Sequence, residues 1–221
     1  PPAGMWPAEG ALSAAFLNQI GDAGFAWTAS SHGVLRHSAG NAASTSVAWQ
    51  APAGTPGDIT LFFRNERLSD LLGFEYANWH GRDAAQAFMT ELQAVHAGDG
   101  SSLIPVFLDG ENAWEYYPYN AWYFFSDLYD ALEQNPAIRT VTLAEAAREH
   151  HDRRQRLPRL TAGSWVYGTL STWLGHNDKN RAWDLLCEAK QSVDRALESG
   201  RLTPAERAAV LHRLAVCESS D

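Results

Sequence analysis

The feature that most constrains this chain is an alternation of short apolar runs with helix-period segments over its first two thirds. Phe25–Ala29, Ile59–Phe63 and Leu103–Leu108 are apolar runs of strand length, bounded by Gly, Asp, Pro or Ser. Between them, Leu12, Ala15, Phe16 and Ile20 fall on one helical face, and so do Ala84, Ala85, Phe88, Leu92 and Val95. After the third run, Trp122, Phe125, Tyr129 and Leu132 continue the helical period. Strands separated by helices must cross over, so the order predicts a parallel sheet, open or closed into a barrel. From about residue 160 the pattern becomes helical throughout. Trp183, Leu186, Cys187, Lys190, Val193 and Leu197 form a mostly apolar stripe, and both cysteines, Cys187 and Cys217, read as small core residues. Thr203, Pro204 and Glu206 make a capping box with Pro at the first helical position. The expected division is an α/β unit over 1–150 and a helical segment over 151–221 packing on it.

Charge narrows the partners. A net charge of −9 argues against nucleic acid, whose phosphates call for a basic surface. The basic run Arg148–Arg159 also carries Glu149 and Asp152 and reads as a solvated face or loop. No apolar stretch reaches the length of about 18 residues that a membrane span needs. The chain opens Pro-Pro-Ala-Gly, without an initiator Met or signal segment, which reads as an incomplete chain; its compartment is taken as cytoplasmic. With 9 Trp, 7 Tyr and 9 Phe, the aromatic content fits either a large aromatic core or a sugar site, since flat rings stack on the C–H faces of pyranoses.

In parallel α/β folds, catalytic groups sit at the C-terminal ends of strands. Three segments carry polar residues there: Trp6-Pro7-Ala8-Glu9-Gly10, Phe63-Arg64-Asn65-Glu66-Arg67, and Asp109-Gly110-Glu111-Asn112-Ala113-Trp114-Glu115. Glycoside hydrolysis needs two carboxyl groups on opposite sides of the scissile bond, and Glu9 with Asp109 meets that need. The alternative for each is a carboxylate that complements a helix N-terminus.

The first and third of these segments, with Gly163-Ser164-Trp165 through Trp173-Leu174-Gly175, resemble glycoside hydrolase family 57, in particular its α-amylase and amylopullulanase branch. Phe63-Arg64, Leu68-Ser69-Asp70, Gly73-Phe74 and Asn180-Arg181-Ala182-Trp183 also look like that branch. The resemblance runs from Met5 to about Leu186. It implies a partial (β/α)7 barrel, holding the fourth to seventh strands, followed by an α-helical segment. It implies a retaining hydrolase of α-1,4 or α-1,6 glucan linkages, with Glu9 after the fourth strand as nucleophile and Asp109 after the seventh as acid/base. The N-terminal half of the barrel, including the family's first motifs, would precede Pro1 and is an implied partner. Where close relatives would carry an acidic pair, this chain has Ser31-His32, which bears on subsite preference and not on the two carboxylates.

The resemblance gives Trp6, three residues before Glu9, as a sugar-stacking aromatic; the alternative is a core Trp. Trp27 reads as core or cleft-facing. Trp114 and Tyr116 follow Asp109 closely enough to line the same cleft, and Trp165 and Trp173 close it from the helical segment or serve packing. Arg64 either faces substrate or forms a buried ion pair with Asp70. Glu111, two residues beyond Asp109, is the second candidate acid. Related barrels in deacetylases and α-mannosidases use metal, but His32, His37, His80 and His176 lack ligand spacing and the adjacent pair His150-His151 cannot easily chelate one ion. No metal and no cofactor is expected. Two alternatives to the hydrolase stay open: an inactive carbohydrate-binding barrel fragment and a metal-dependent polysaccharide deacetylase-like barrel.

Overall fold

The computed structural model describes residues 2–99, 103–110 and 114–219. They divide into two compact units, 1–170 and 171–221. The first is built on a five-stranded mixed sheet of order β1-β2-β4-β3-β5, with β1 Gly4–Met5, β2 Trp27–Ser31, β3 Trp49–Gln50, β4 Thr60–Arg64 and β5 Gln155–Arg156. β1, β2 and β4 run parallel, in a register that pairs Met5 with Thr28 and Ala29 with Phe62. β3 is antiparallel to β4 and parallel to β5.

β2 and β4 are the expected strands, each displaced by a residue or two. Every residue of β4 is buried, as a strand covered on both faces requires. Side chains alternate across the sheet. Leu61 and Phe63 therefore enter one apolar cluster with Leu17, Ile20, Val34 and Leu35, from helices α1 Ala14–Asp22 and α2 His32–Ala39. Phe62 enters another cluster with Ala29, Leu103, Ala146 and Ala147, the last two from α6 Leu143–Glu149. Burying each such Phe or Leu stabilises the fold by about 1.5–3 kcal/mol.

A third cluster joins α3 Glu66–Asp70, α4 Gly81–Asp99 and α5 Trp122–Glu133. α5 is helical as expected, but its inward face differs. Phe124 and Leu128 are buried, and the expected Phe125 and Leu132 pack half-buried beside them, while the expected Trp122 and Tyr129 are 70% and 57% exposed. The run Trp-Tyr-Phe-Phe carries apolar rings on every side, so periodicity alone cannot choose between faces a residue or two apart.

The run Leu103–Leu108 lies outside the sheet. Pro105 has no N–H to give a ladder; its carbonyl accepts from Asn65 N–H at 2.8 Å, and Phe107 N–H donates to Ser69 Oγ at 3.3 Å. The segment thus runs beside the C-terminal end of β4.

The helical pattern begins later than residue 160. Residues 161–170 form a strap on the first unit, tied by paired backbone bonds between Leu12 and Gly163, by Thr161 N–H to Ser38 Oγ, and by Ser31 Oγ to Ser164 O. A Cβ on Gly33, in α2, would stand 2.8 Å from Gly168 Cα, so only glycine lets strap and helix meet this closely. These ties carry the compact unit to Leu170, past the expected division at 150.

In the second unit, α7 Asn177–Glu198 and α8 Pro204–Glu218 pack together. The Thr203–Glu206 capping box forms as expected. Leu214 is buried, but Cys187 and Cys217 are exposed rather than core. The stripe on α7 has no fully buried residue, because its contact with α8 covers only a narrow seam. Among the described residues, no helix is long and apolar enough to cross a membrane.

Candidate active site

Glu9 stands in the turn that follows β1, at the C-terminal edge of the parallel strands. Its backbone is left-handed (φ 57°, ψ 17°), and Gly10 continues in the same region at φ 59°. A non-glycine residue there costs about 1–2 kcal/mol. The turn is held by Gly10 N–H to Pro7 O at 2.9 Å and by the buried Ser30 Oγ, which donates to Gly10 O at 2.6 Å. A Cβ on Gly10 would lie 2.7 Å from the Trp6 ring, so the glycine admits that indole beneath the turn.

The strap completes this arrangement. Trp165 N–H donates to Glu9 O at 2.9 Å, and its indole Nε1 donates to Glu9 Oε2 at 2.6 Å. The half-buried carboxylate is thereby oriented by a rigid donor. Trp6 stacks on Phe107 (centroids 5.1 Å apart, planes at 22°) and tilts against Trp165 at 5.4 Å. Arg64 closes the group at the end of β4. Its guanidinium lies 5.5 Å from the Trp165 ring centroid, its Nε donates to Phe107 O at 3.2 Å, and its Nη2 pairs with Asp70 at 2.6 Å. With its side chain only 9% exposed and these partners in place, Arg64 forms the ion pair that was one of its two readings.

Four candidates from the sequence, Glu9, Trp6, Trp165 and Arg64, are therefore brought together, and Phe107 at their centre was not among them. Its signal was its place two residues before Asp109, which puts both on one side of an extended segment. Asp109 itself is half-buried. Trp27 is half-buried and meets Phe62 edge-on at 6.4 Å; its buried indole N–H has no hydrogen-bond partner among the described residues. Trp114 packs on Phe125 at 4.5 Å and on Tyr117 at 5.6 Å, inside the third apolar cluster, while Tyr116 is 78% exposed. Trp173 belongs to the second unit, where its carbonyl accepts from Trp183 Nε1. Glu111 lies outside the described residues.

The residues around the first helix termini serve the scaffold. Ser31 Oγ caps α2 through Val34 N–H, Asn65 caps α3 through Leu68 N–H, and Glu66 accepts from Gly33 N–H at 3.1 Å. Burial holds the His32 imidazole below its ordinary pKa, against the attraction of Glu66. Among the described residues, no three His, Cys, Asp or Glu side chains converge where they could hold one ion.

The model of glycosyl hydrolase family 57 matches residues 1–158. The chain belongs to glycosyl hydrolase family 57. No curated protein matches it. The GH57-type branching enzyme of the hyperthermophilic archaeon Pyrococcus horikoshii superposes with a TM-score of 0.59 at 15% identity, over 81% of this chain and 40% of that one. The 4-alpha-glucanotransferase of Thermococcus litoralis superposes with a TM-score of 0.56 at 18% identity, over 86% of this chain and 29% of that one. These likenesses give the family 57 chain the same fold as part of each enzyme, and it spans less than half the length of either.

Proposed function

We propose that this family 57 chain is the C-terminal half of a (β/α)7 catalytic barrel that cleaves α-1,4 or α-1,6 glucosidic bonds with retention. Its β1, β2 and β4 would supply the fourth to sixth strands, and Leu103–Leu108, which runs beside the end of β4, would stand in the place of the seventh. The observation that carries the reading is the Glu9 carboxylate, held by the Trp165 indole in a strained turn at the C-terminal edge of parallel strands. The 4-alpha-glucanotransferase bears an α-glucan in its name, which favours that substrate class over a deacetylase's.

In the proposed reaction a Glu9 carboxylate oxygen attacks the anomeric carbon as the glycosidic C–O bond breaks. Asp109, protonated at the start, gives its proton to the leaving oxygen. The Asp109 carboxylate then takes a proton from water, whose oxygen displaces Glu9 and leaves the anomeric configuration unchanged. Trp6 offers a ring face to the sugar, and the exposed Tyr116 is a further candidate for the cleft. The two carboxyl groups are expected roughly 5–5.5 Å apart with substrate bound.

β1 lies at the edge of the sheet, and the turn that carries Glu9 follows it directly. An N-terminal half-barrel pairing with that edge would complete the cleft. The test is a reducing-sugar assay on starch and pullulan, with this chain alone and with it joined to an N-terminal half. Release of reducing ends that Glu9→Gln abolishes supports the reading. A fully joined barrel that binds these glucans without cleaving or transferring them would leave it a carbohydrate-binding fragment.

A further inference from the structure

A second concavity lies in the first unit and shares no residue with the Glu9 cluster. Its volume is about 320 Å³, and Trp79, His80, Tyr117, Tyr119 and Tyr123 line it. That volume sits at the small end of the roughly 300–1,000 Å³ usual for ligand pockets. Tyr119 and Tyr123 are 77% and 59% exposed and Trp79 is 46% exposed, so all three are open to water rather than enclosed in a core. Among the described residues, no Lys, Arg, Asp or Glu lines it, and His80 is the one titratable residue on its wall apart from the phenols. Such a wall suits an uncharged ligand with apolar faces and hydroxyl edges.

The backbone holds these rings deliberately. Tyr119, Asn120 and Ala121 are three consecutive non-glycine residues in the left-handed region, at φ 54°, 52° and 63°. Side-chain sterics disfavour each, and such strain persists only where the surroundings over-determine it. Below the turn, Tyr117 Oη donates to Leu72 O at 2.5 Å, and Ala121 is buried. The result is Tyr119 set edge-on to Tyr123, with centroids 5.3 Å apart and planes at 89°. Trp79, also on the wall, rests on Tyr76 with ring centroids 5.1 Å apart.

We propose that the Trp79–Tyr119–Tyr123 concavity is a non-catalytic α-glucan-binding site, which takes a short stretch of the polysaccharide by ring stacking. The choice of α-glucan rests on the substrate class proposed above. The net charge of −9 disfavours a polyanionic ligand and is indifferent to a neutral one.

The test is retention on insoluble starch, and titration with maltoheptaose followed by tryptophan fluorescence, using the whole chain. Tyr119→Ala and Trp79→Ala should each weaken binding about 5- to 10-fold, in line with a lost stacking contact, while circular dichroism stays that of the parent. Because Tyr119 is 77% exposed, its truncation leaves the fold intact even if Trp79→Ala does not. Glu9→Gln should bind starch as the parent does. Parent-like retention by Tyr119→Ala overturns the proposal. So does loss of retention in Glu9→Gln, which would put all binding at the carboxylate cluster. A concentration-dependent dimer that Tyr119→Ala converts to monomer would make the surface a contact between copies and also overturn it. If starch is retained through this pocket but the joined barrel shows no Glu9-dependent cleavage, the catalytic reading fails and this one stands.

Discussion

Trp165 grips Glu9 twice, through the backbone at 2.9 Å and through the indole to the carboxylate at 2.6 Å. The strap that carries Trp165 is distant from Glu9 in sequence, yet it fixes the direction in which the carboxylate points. A hydrogen bond to a charged group is worth about 1.5–3 kcal/mol. Trp165→Phe keeps the ring against Trp6 and Arg64 and removes only the indole donor. In the joined barrel it should lower kcat/KM on starch about 10- to 100-fold, with KM little changed. An unaltered kcat/KM would mean that the grip is structural only.

The proposed roles separate by rescue. Glu9→Gln should abolish turnover of every substrate. Asp109→Asn should still react with an aryl glycoside or glycosyl fluoride, whose leaving group needs little acid help. Azide should then accelerate it and give a glycosyl azide that keeps the α configuration. The product is read by NMR. A β-azide, or rescue in Glu111→Gln and not in Asp109→Asn, would sink the assignment.

Arg64 and Asp70 should matter through geometry. Arg64 uses one planar fork to reach Phe107 O, Asp70 and the Trp165 face together. Lysine carries the charge but cannot make those contacts at once. Arg64→Lys should lower stability by about 2 kcal/mol in urea titration, a figure kept below that of a fully buried pair because Asp70 is 48% exposed. A change under about 0.5 kcal/mol would show that the fork carries no weight, being within the range of an ordinary surface substitution.

The far side of the sheet should respond to pH. Asp58, just before β4, accepts from Arg154, whose side chain is 4% exposed, and lies 2.6 Å from His151 Nε2. The Arg154 hydrogen bond, aided by His151, holds the Asp58 carboxyl down to about 2. A lowered folded value adds stability above the ordinary carboxyl range and loses it as pH falls from about 4 through 2. His151 is raised by its bonds to Asp152 and Asp58, so its share is full below its ordinary value and fades as pH rises through the raised one. The tie is thus strongest between about pH 4 and 6.5. Asp58→Asn should lower Tm in that window, by an amount worth about 1 kcal/mol for a half-exposed partner, and the gap should close near pH 2. A gap that is constant with pH would exclude the mechanism.

Much of this could be read in the chain. β2 and β4 follow from short apolar runs, and the α8 cap follows from Thr203 and Glu206, because each signal is local. The motifs also named Glu9, Trp6 and Trp165, three residues that the fold brings into contact. What stayed hidden depends on contacts distant in sequence. Pro105 reads as part of an apolar run, but its missing N–H leaves that run beside the sheet. Arg154 sits in a basic run that reads as solvated, and only the fold brings Asp58 and Thr60 to its guanidinium. The strap over 161–170 has no period at all; glycines and single hydroxyls dock it.

The left-handed conformation of Glu9 sets foldability and chemistry against each other at one position. Asparagine and glycine tolerate φ 57° better than glutamate does, while only a carboxylate can serve as nucleophile. If every substitution at position 9 were scored separately for cellular abundance and for turnover, the two rankings should diverge. Glycine or asparagine would stand near the top of the first and at the floor of the second. Residues placed by packing alone, such as Phe63, would give two rankings that agree.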